Sequence, residues 1–206
     1  MSVEIELKAW AADPPAVRER LSRVAVYRGA FVKEDTYWRP SRAGGDFPPA
    51  GVRLRRETFV RPSGGEEQRL LVTFKTKEVR NGVEVNRERE FEVRDAGETP
   101  PEICAPGAER VSALEELLAL VRLSPAVHKT KRGGVWDYRG ITAELLEIPG
   151  LGFFLELEII ARDSEDETVR EARARLLSLL AAAGIGEDCI ETRYYTEMLA
   201  GIIELF

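Results

Sequence analysis

Histidine and cysteine are scarce in this sequence. Among its 206 residues there is one histidine, His128, and there are two cysteines, Cys104 and Cys189. The cysteines are far apart and show no CxxC or CxxH spacing, so the sequence supports neither a zinc site nor a disulfide framework. A single histidine also leaves little for a Ser/His/Asp relay. We therefore expect any chemistry to depend on carboxylates, lysines and arginines.

The sequence also lacks long apolar runs and an excess of positive charge. No stretch approaches the roughly 18 apolar residues of a membrane span, and the N-terminus has no basic and apolar leader pattern. The formal net charge of −6 argues against a general nucleic-acid or membrane-surface binder, although it allows a local basic cavity. These absences predict a cytoplasmic protein with reduced thiols, no membrane association and no nucleic-acid partner.

Sequence patterns predict eight strands and four helices. The strands are expected at 2–9, 31–39, 51–60, 68–78, 83–94, about 126–132, 135–147 and 153–161. Asp13 is the predicted N-cap of the first helix, with prolines in the first turn and Val17, Leu21 and Val24 at helical spacing. The later helices are expected around 111–121, 165–183 and 192–203. The segment 97–107 is the one plausible internal boundary.

Charged residues, 32% of the chain, follow an alternating pattern along the predicted strands. In VEIELK (3–8), Glu4, Glu6 and Lys8 share one face of a strand, and the three aliphatic residues share the other. The same parity aligns further pairs: Arg53 with Arg55, Lys75 with Lys77, Glu88 with Glu90, Lys129 with Lys131, and Glu156 with Glu158. One such strand alone would be interpreted as a half-exposed edge strand with a solvated outer face.

The repetition of this pattern favours a different arrangement. Each apolar stripe needs a covering surface, and several amphipathic helices are available to provide it. If the helices lie outside, the charged stripes face one another, and a closed sheet encloses a hydrophilic tunnel. Many enclosed charges are costly unless they are paired, hydrated or bound to a ligand of matching charge. A polyanion together with a divalent cation fits this requirement, because arginine and lysine bind phosphate oxygens and clustered carboxylates bind hard ions.

Six motifs in order resemble those of the CYTH superfamily, also called triphosphate tunnel metalloenzymes. This superfamily includes class IV adenylate cyclases, thiamine triphosphatases and inorganic triphosphatases. EIELK (4–8) resembles its ExExK signature, and the others are DTYWRP (35–40), GVRLRRE (51–57), LLVTFKTKE (70–78), VHKTKR (127–132) and PGLGFFLELE (149–158). RYYTEML (193–199) is similar to a helical tail found among cyclase-like members. The likeness extends along nearly the whole chain.

The resemblance implies an α+β fold in which a closed, antiparallel, eight-stranded barrel carries helices on its outside. It implies a single domain over 1–206, with the C-terminal helices (about 165–203) packed on the barrel. It implies Mg²⁺ or Mn²⁺ as cofactor, with metal ligands Glu4, Glu6, Glu156 and Glu158. Catalytic roles fall on Glu4, Glu6, Lys8 and Lys75. Triphosphate binding falls on Lys8, Arg53, Arg55, Lys75, Lys129 and Lys131, and Lys77 is added to this set by its strand parity.

Two positions depart from the family pattern. Glu88 and Glu90 occupy the acidic positions of the fifth strand, but the arginine that precedes them in the family is replaced by Asn86, which leaves the register of this strand open by one residue. Near the seventh strand, the usual aspartate falls at Leu146. Glu144 has the same parity and could compensate as a tunnel carboxylate, whereas Glu147 should point away.

The expected chemistry is metal-assisted displacement at phosphorus, in which the protein mainly positions charges. We favour a class IV adenylate cyclase-like enzyme that converts ATP to cyclic AMP and pyrophosphate. The alternative is hydrolysis of tripolyphosphate, thiamine triphosphate or a nucleoside triphosphate, and a second alternative is a noncatalytic polyphosphate-binding module. The expected partner is a triphosphate-containing small molecule, and the outer helices leave room for a homodimer.

Other conspicuous residues are expected to be structural. His128, Arg87, Arg89 and Arg132 have the parity that faces away from the tunnel. Tyr37 and Trp38 are interpreted as packing residues rather than contacts to a base or sugar. Tyr194 and Tyr195 are expected to anchor the last helix on the barrel.

Overall fold

The computed structural model describes residues 3–40, 52–93 and 113–203, apart from the side chains of Lys77, Ala113 and residues 201–203. Several predictions lie outside the described residues, among them Cys104, the boundary segment 97–107 and the start of the helix near 111.

Eight antiparallel strands in the described part of the chain form a closed barrel with the order β1-β5-β4-β3-β2-β6-β7-β8. The strands are β1 Val3–Trp10, β2 Val26–Pro40, β3 Val52–Val60, β4 Glu66–Arg80, β5 Val83–Val93, β6 Leu123–Tyr138, β7 Ile141–Ile148 and β8 Gly152–Ala161. Closure pairs β1 with both β5 and β8, and β2 with both β3 and β6. The predicted fold class is therefore confirmed.

Helices accompany the barrel at α1 Pro14–Val24, α2 Ala113–Leu120, α3 Asp166–Ala182 and α4 Tyr195–Ile203, and Glu187–Cys189 form a short 3₁₀ helix. Asp13 caps α1 as predicted, because its Oδ1 accepts a hydrogen bond of 3.1 Å from the Ala16 amide. Val17 and Leu21, four residues apart on α1, are both buried. None of the helices that the structure describes is long and apolar enough to cross a membrane.

The outward face of the barrel is apolar and carries two hydrophobic clusters. The larger cluster buries Ile5 and Leu7 of β1 with Leu157 of β8 against Leu21 of α1 and Leu176 of α3. Full burial of a side chain of this size contributes about 1.5–3 kcal/mol, so this cluster is a main source of stability. The smaller cluster joins Trp38, Leu54 and Leu123 of the strands to Leu118 of α2. The predicted packing role of Trp38 is confirmed.

A third hydrophobic cluster lies inside one end of the barrel. We call Phe31, Leu146, Ile148, Phe154, Tyr195 and Met198 the apolar plug. Phe154 has the same parity as Glu156 on β8, and Leu146 has the same parity as Glu144 on β7, so these side chains face the bore.

The position of α4 differs from the expectation that both C-terminal helices pack on the outside of the barrel. Helix α3 packs on the outer wall, but α4 places Tyr195 and Met198 in the plug and so closes one end of the barrel. The physical reason is that the inward parity changes from charged to apolar at this end, as in the step from Glu156 to Phe154, which gives α4 an apolar surface to cover.

The predicted break between the sixth and seventh strands is wrong. Strand β6 continues through Gly133 and Gly134 and ends at Tyr138. At Gly133 an added Cβ would lie 2.1 Å from the Leu145 carbonyl oxygen, so glycine permits close pairing of β6 with β7 here and does not mark a turn. The chain reverses instead at Arg139 and Gly140, whose positive φ angles of 51° and 79° are typical of a two-residue hairpin turn.

Candidate functional site

The barrel encloses a charged cavity of about 380 Å³. Its lining combines carboxylates, lysines and arginines with two apolar side chains: Glu4, Glu6, Lys33, Arg53, Arg55, Glu57, Arg69, Leu71, Lys75, Glu88, Glu90, Lys131, Glu144, Glu156, Glu158 and Ile160. The strand parity predicted from the sequence thus brings charged side chains of all eight strands into one bore, and Lys33 is the contribution of β2.

Lys75 lies at the centre of an acidic group on β1 and β5. Its ammonium forms an ion pair with Glu4 and lies 3.7 Å from Glu6 and 3.4 Å from Glu88. Burial alone would lower the pKa of Lys75, but the three carboxylates raise it well above its ordinary value. Lys75 is therefore a fixed positive charge in the bore.

Glu158 is the carboxyl group with the most perturbed protonation in the cavity. Burial, followed by the neighbouring carboxylates Glu4 and Glu6, raises the pKa of Glu158 to about 9. Burial also raises the pKa of Glu4, although Lys75 acts against this shift. At neutral pH Glu158 therefore carries a proton, because three carboxylates in a confined bore cannot all be charged without compensation.

Glu156 is paired with Lys131 across the bore. The Lys131 Nζ donates to both carboxylate oxygens of Glu156 at 2.6 Å. Burial alone would raise the pKa of Glu156, but Lys131 lowers it below its ordinary value. The predicted metal ligand Glu156 thus has an internal counterion in Lys131.

Two arginines of β3 enter the bore with different partners. The Arg53 Nη2 donates to Thr73 Oγ1 at 2.9 Å and to Glu88 Oε1 at 2.7 Å, with Glu90 Oε2 at 3.3 Å. Arg55 instead forms a two-pronged bond with Asp35, from its Nε at 2.6 Å and its Nη2 at 3.0 Å. Both guanidinium groups line the cavity, which is the placement expected of phosphate ligands.

Asp35 holds two cations in the interior. In addition to Arg55, the Lys129 Nζ lies 3.1 Å from Asp35 Oδ2, and the Asp35 side chain is completely buried. Burial would raise the pKa of Asp35, but Arg55 and Lys129 hold it well below its ordinary value. For Lys129 burial dominates and lowers the pKa, while its Nζ also donates to the Tyr37 hydroxyl at 3.1 Å.

Two predicted phosphate ligands lie behind the cavity and do not line it. Lys8 is buried in an ion pair with Glu84, and Lys129 is paired with Asp35. Both have the inward parity that the sequence predicted, but they lie toward the plugged end of the barrel. The side chain of a third predicted ligand, Lys77, is outside the described residues.

The structure places the carboxylates of β7 as the parity rule expects. Glu144 faces the bore and lies 2.5 Å from the Lys33 ammonium. Glu147 points outward, where it pairs with Arg132 at 3.0 Å. Leu146, at the position of the family aspartate, is buried in the apolar plug. Glu144 therefore supplies the carboxylate of β7, one step further along the bore.

The register of β5, which the sequence left open, is now determined. Glu88 lies opposite Lys75 on β4, and Asn86 lies opposite Glu4 on β1. Glu88 and Glu90 both line the cavity. Asn86 shares their parity and is completely buried, so it occupies the bore position that the family gives to arginine.

Sequence reasoning missed several bore residues, namely Lys33, Asp35, Glu57, Arg69 and Glu84. The signal was present for the first two: Lys33, Asp35 and Tyr37 alternate along β2 as regularly as the residues of VEIELK. The outward face of β2 mixes apolar Val32 and Trp38 with polar Glu34 and Thr36, so the sequence of this strand shows no clear apolar stripe.

The residues expected to face away from the bore do so. His128 is exposed, and its Nδ1 is 3.1 Å from the Thr36 hydroxyl. Arg87 is exposed, and its Nη2 donates to Ser164 Oγ at 3.3 Å in the segment between β8 and α3. Arg89 is also exposed.

A clasp of polar bonds fastens the segment before α4 to β1. The Glu191 amide donates to the Lys8 carbonyl at 2.9 Å, and the Trp10 indole donates to Glu191 Oε2 at 3.2 Å. Hydrogen bonds from Arg193, above all, lower the pKa of Glu191 to about 2. The clasp holds α4 over the end of the barrel.

The carboxylates do not form a ready-made metal site. Within residues 3–40, 52–93 and 113–203, no three histidine, cysteine or acidic side chains converge closely enough to hold an ion. Lys75 and Lys131 are among the reasons, because they occupy Glu4 and Glu156. The donor set nevertheless suits a hard cation, since Glu4, Glu6 and Glu158 are close enough for one of them to retain a proton that a cation could replace.

Comparison with known proteins identifies the fold. No family model matches the sequence, and no curated protein matches it either. A solved protein of Pyrococcus horikoshii OT3 matches with a TM-score of 0.74 and 22% identity, over 97% of this chain and 99% of the other. An adenylate cyclase candidate from Vibrio parahaemolyticus matches with a TM-score of 0.67 and 17% identity, over 96% and 97% of the two chains.

A third solved structure has a described activity. It is an adenylyl cyclase candidate from Hippeastrum with a dominant triphosphatase activity, and it matches with a TM-score of 0.58 and 16% identity, over 97% of this chain and 94% of the other. At these identities the likeness shows the fold, and the resemblance seen in the sequence is confirmed at that level.

Proposed function

We propose that the protein is a divalent-cation-dependent hydrolase of inorganic tripolyphosphate. The observation that carries this proposal is the composition of the cavity, in which lysines and arginines alternate with carboxylates and no aromatic side chain is present among the described lining residues. Such a surface binds a chain of phosphates from several sides but offers no stacking platform for a base. The dominant triphosphatase activity of the Hippeastrum neighbour supports the same choice.

The basic residues of the lining provide the phosphate contacts. Arg53 and Arg55 present forked donors that match phosphate oxygens, and Lys75 and Lys131 provide point charges further along the bore. Each is already paired with a carboxylate, so a phosphate chain must take these donors over from Glu88, Asp35, Glu4 and Glu156. Binding therefore releases carboxylates as well as satisfying the phosphates.

Two of the released carboxylates, Glu4 and Glu156, join Glu6 and Glu158 as the proposed cation ligands. Glu4, Glu6 and Glu158, with Glu156 after Lys131 has moved to phosphate, supply the oxygen ligands that Mg²⁺ and Mn²⁺ prefer. Such a cation would neutralise charge on the phosphate oxygens during displacement. Burial raises the pKa of Glu4 while no cation is bound, and a bound cation would favour the anionic carboxylate and so replace the proton there.

Adenylate cyclisation is the second candidate, and two side chains favour it. Leu71 and Ile160 are the apolar members of the lining, and Ile160 is 61% exposed. A nucleoside attached to the triphosphate could contact them with its base or sugar. The Vibrio parahaemolyticus neighbour, an adenylate cyclase candidate, is consistent with this alternative.

Two incubations separate the candidates. The protein is incubated with Mg²⁺ or Mn²⁺ and either tripolyphosphate or ATP, and orthophosphate, pyrophosphate and cyclic AMP are quantified. We expect orthophosphate from tripolyphosphate, little cyclic AMP from ATP, and no turnover in EDTA. Cyclic AMP with stoichiometric pyrophosphate, in the absence of tripolyphosphate hydrolysis, would overturn the hydrolase in favour of the cyclase.

Matched variants test whether the bore carboxylates are responsible. Glu4→Gln should lose turnover by a factor of about 100 or more, because it removes one of the carboxylates that would hold the cation. Glu147→Gln, which changes an outward carboxylate, should retain wild-type turnover. If Glu4→Gln combined with Glu156→Gln still binds tripolyphosphate and the wild-type protein never turns it over, the chain is a noncatalytic polyphosphate-binding module.

A further inference from the structure

Tyr195, the first residue of α4, is inserted among the lysines of the bore. Its ring centroid lies 5.4 Å from the Lys8 ammonium, 5.4 Å from that of Lys129 and 5.0 Å from that of Lys131. Lys8 belongs to β1, whereas the other two belong to β6, and these strands are separated in the barrel by β7 and β8. The ring therefore spans the bore from one wall toward the other.

The position of this ring is fixed by the apolar plug and by the clasp. Phe154 meets the Tyr195 ring edge to face, with centroids 4.9 Å apart, and Met198 lies beside them in the plug. Tyr195 is 6% exposed. Four residues earlier, Glu191 is bonded to the backbone and indole of β1. A side chain held at both its ring and its backbone has little freedom to leave the bore.

Two of the three lysines beside this ring lie outside the cavity. Lys131 lines the cavity, but Lys8 and Lys129 have the same inward parity and do not line it. Glu84 and Asp35 neutralise these two lysines in place of a ligand. The row of inward-facing lysines thus extends beyond the space open to a ligand. The Tyr195 ring lies beside Lys131, which lines the cavity, and beside Lys8 and Lys129, which do not.

We propose that Tyr195 is the end stop of the tunnel and limits how many phosphates of a linear chain can bind. A chain enters by one terminus from the open end, advances to Lys131 and stops at the ring, so that further phosphates remain outside the site. This inference rests on the proposed function, because it specifies the length of the phosphate chain that the same cavity takes.

A length series of linear phosphates tests the end stop by binding alone. Isothermal titration in EDTA measures the dissociation constants of pyrophosphate, tripolyphosphate and tetraphosphate. For the wild-type protein we expect affinity to rise up to tripolyphosphate and then to level off. For Tyr195→Ala we expect tetraphosphate to bind about tenfold more tightly than tripolyphosphate, because Lys8 and Lys129 become accessible to the additional phosphate.

Further variants separate the end stop from a general effect on folding. Tyr195→Phe keeps the ring and should retain the wild-type plateau. Tyr195→Leu fills the plug with a shorter side chain and should show the same gain for tetraphosphate as Tyr195→Ala, so it serves if the alanine variant does not fold. Far-UV circular dichroism and thermal melts establish that each variant tested is folded.

The outcomes distinguish this inference from the proposed function. Equal tetraphosphate-to-tripolyphosphate ratios in folded wild-type, Tyr195→Ala and Tyr195→Leu proteins would overturn the end stop, whether or not hydrolysis occurs. A shift of the ratio in the two shortened variants supports the end stop even if no phosphate is hydrolysed, in which case only the proposed reaction fails. Failure of the wild-type protein to bind any of the three phosphates in EDTA would overturn the end stop, whereas the incubations with Mg²⁺ or Mn²⁺ decide the proposed reaction.

Discussion

Asp35 is the residue on which the basic side of the bore depends. It is completely buried and neutralises Arg55 and Lys129 together. Replacing it with Asn would remove the ion-pair partner that two enclosed cations share, so Asp35→Asn should lower the free energy of unfolding by about 3–5 kcal/mol. Urea denaturation followed by circular dichroism measures the change.

The control for Asp35 is the outward pair of Glu147 with Arg132. This pair is partly exposed, and Glu147→Gln should change the free energy of unfolding by about 0.5 kcal/mol or less. A loss of under about 1 kcal/mol for Asp35→Asn would contradict the account, because it would mean that Arg55 and Lys129 need no carboxylate.

Glu158 makes the pH dependence of stability unusual. Its pKa is about 9 in the folded protein, above the ordinary value of 4.5, so between these limits the folded state binds the proton more tightly than the unfolded state does. The contribution of this group is therefore present at low pH and is lost as the pH rises through this window, by at most about 1.4 kcal/mol per pH unit.

The corresponding prediction uses Glu158→Gln, which is neutral at every pH. Free energies of unfolding measured at pH 6 and pH 8.5 should differ less in this variant than in the wild-type protein. Glu147→Gln should keep the wild-type difference. An unchanged pH dependence in Glu158→Gln would show that Glu158 is already ionised at neutral pH.

At the scale of single elements, strand faces could be predicted from the sequence because their period is fixed by geometry. Side chains alternate strictly, so Glu4 and Glu6 had to share a face with Lys8 once β1 was recognised. How far each side chain lies along the bore could not be predicted in this way. Depth depends on strand pairing, such as that of β1 with β5, and therefore on contacts distant in sequence.

The ends of elements were harder to predict for a related reason. Glycines usually interrupt strands, but Gly133 is required inside β6 because the backbone of Leu145 lies against it. The inward position of α4 was missed because its apolar face fits a wall or an end of the barrel equally well. That choice depends on Phe154 and Leu146 facing inward, which becomes clear only when the strands are assembled.

Gly133 and Gly134 give a matched test of this interpretation. A Cβ on Gly133 would meet the backbone oxygen of Leu145 at 2.1 Å, whereas on Gly134 the closest atom would be in the side chain of Trp136, at the longer distance of 2.9 Å. Gly133→Ala should therefore cost about 3 kcal/mol or more, and Gly134→Ala about 1–2 kcal/mol. Thermal melts compare the two variants, and a larger loss in Gly134→Ala would refute the tight pairing of β6 with β7.

The molecule as a whole has three apolar clusters that are separated by a charged bore. Two lie outside the barrel, under α1 with α3 and under α2, and the third is the apolar plug. Every strand pairs with two neighbours in the closed order, so opening any one seam exposes backbone groups and bore charges together. Closure should therefore join the three clusters into one cooperative unit.

The fluorescence of each of the three tryptophans reports on a different cluster. Trp136 lies in the larger outer cluster, Trp38 lies in the smaller outer cluster, and Trp10 packs against the apolar plug. Three variants that each keep one tryptophan, with the other two replaced by phenylalanine, are unfolded in urea. In each variant the fluorescence midpoint should coincide with the circular dichroism midpoint of the same protein, because a two-state transition gives one midpoint for every probe.

The circular dichroism curve is the internal control for the substitutions. A lower fluorescence midpoint for Trp10 alone would show instead that the plug and α4 open before the barrel, and that closure joins only the two outer clusters.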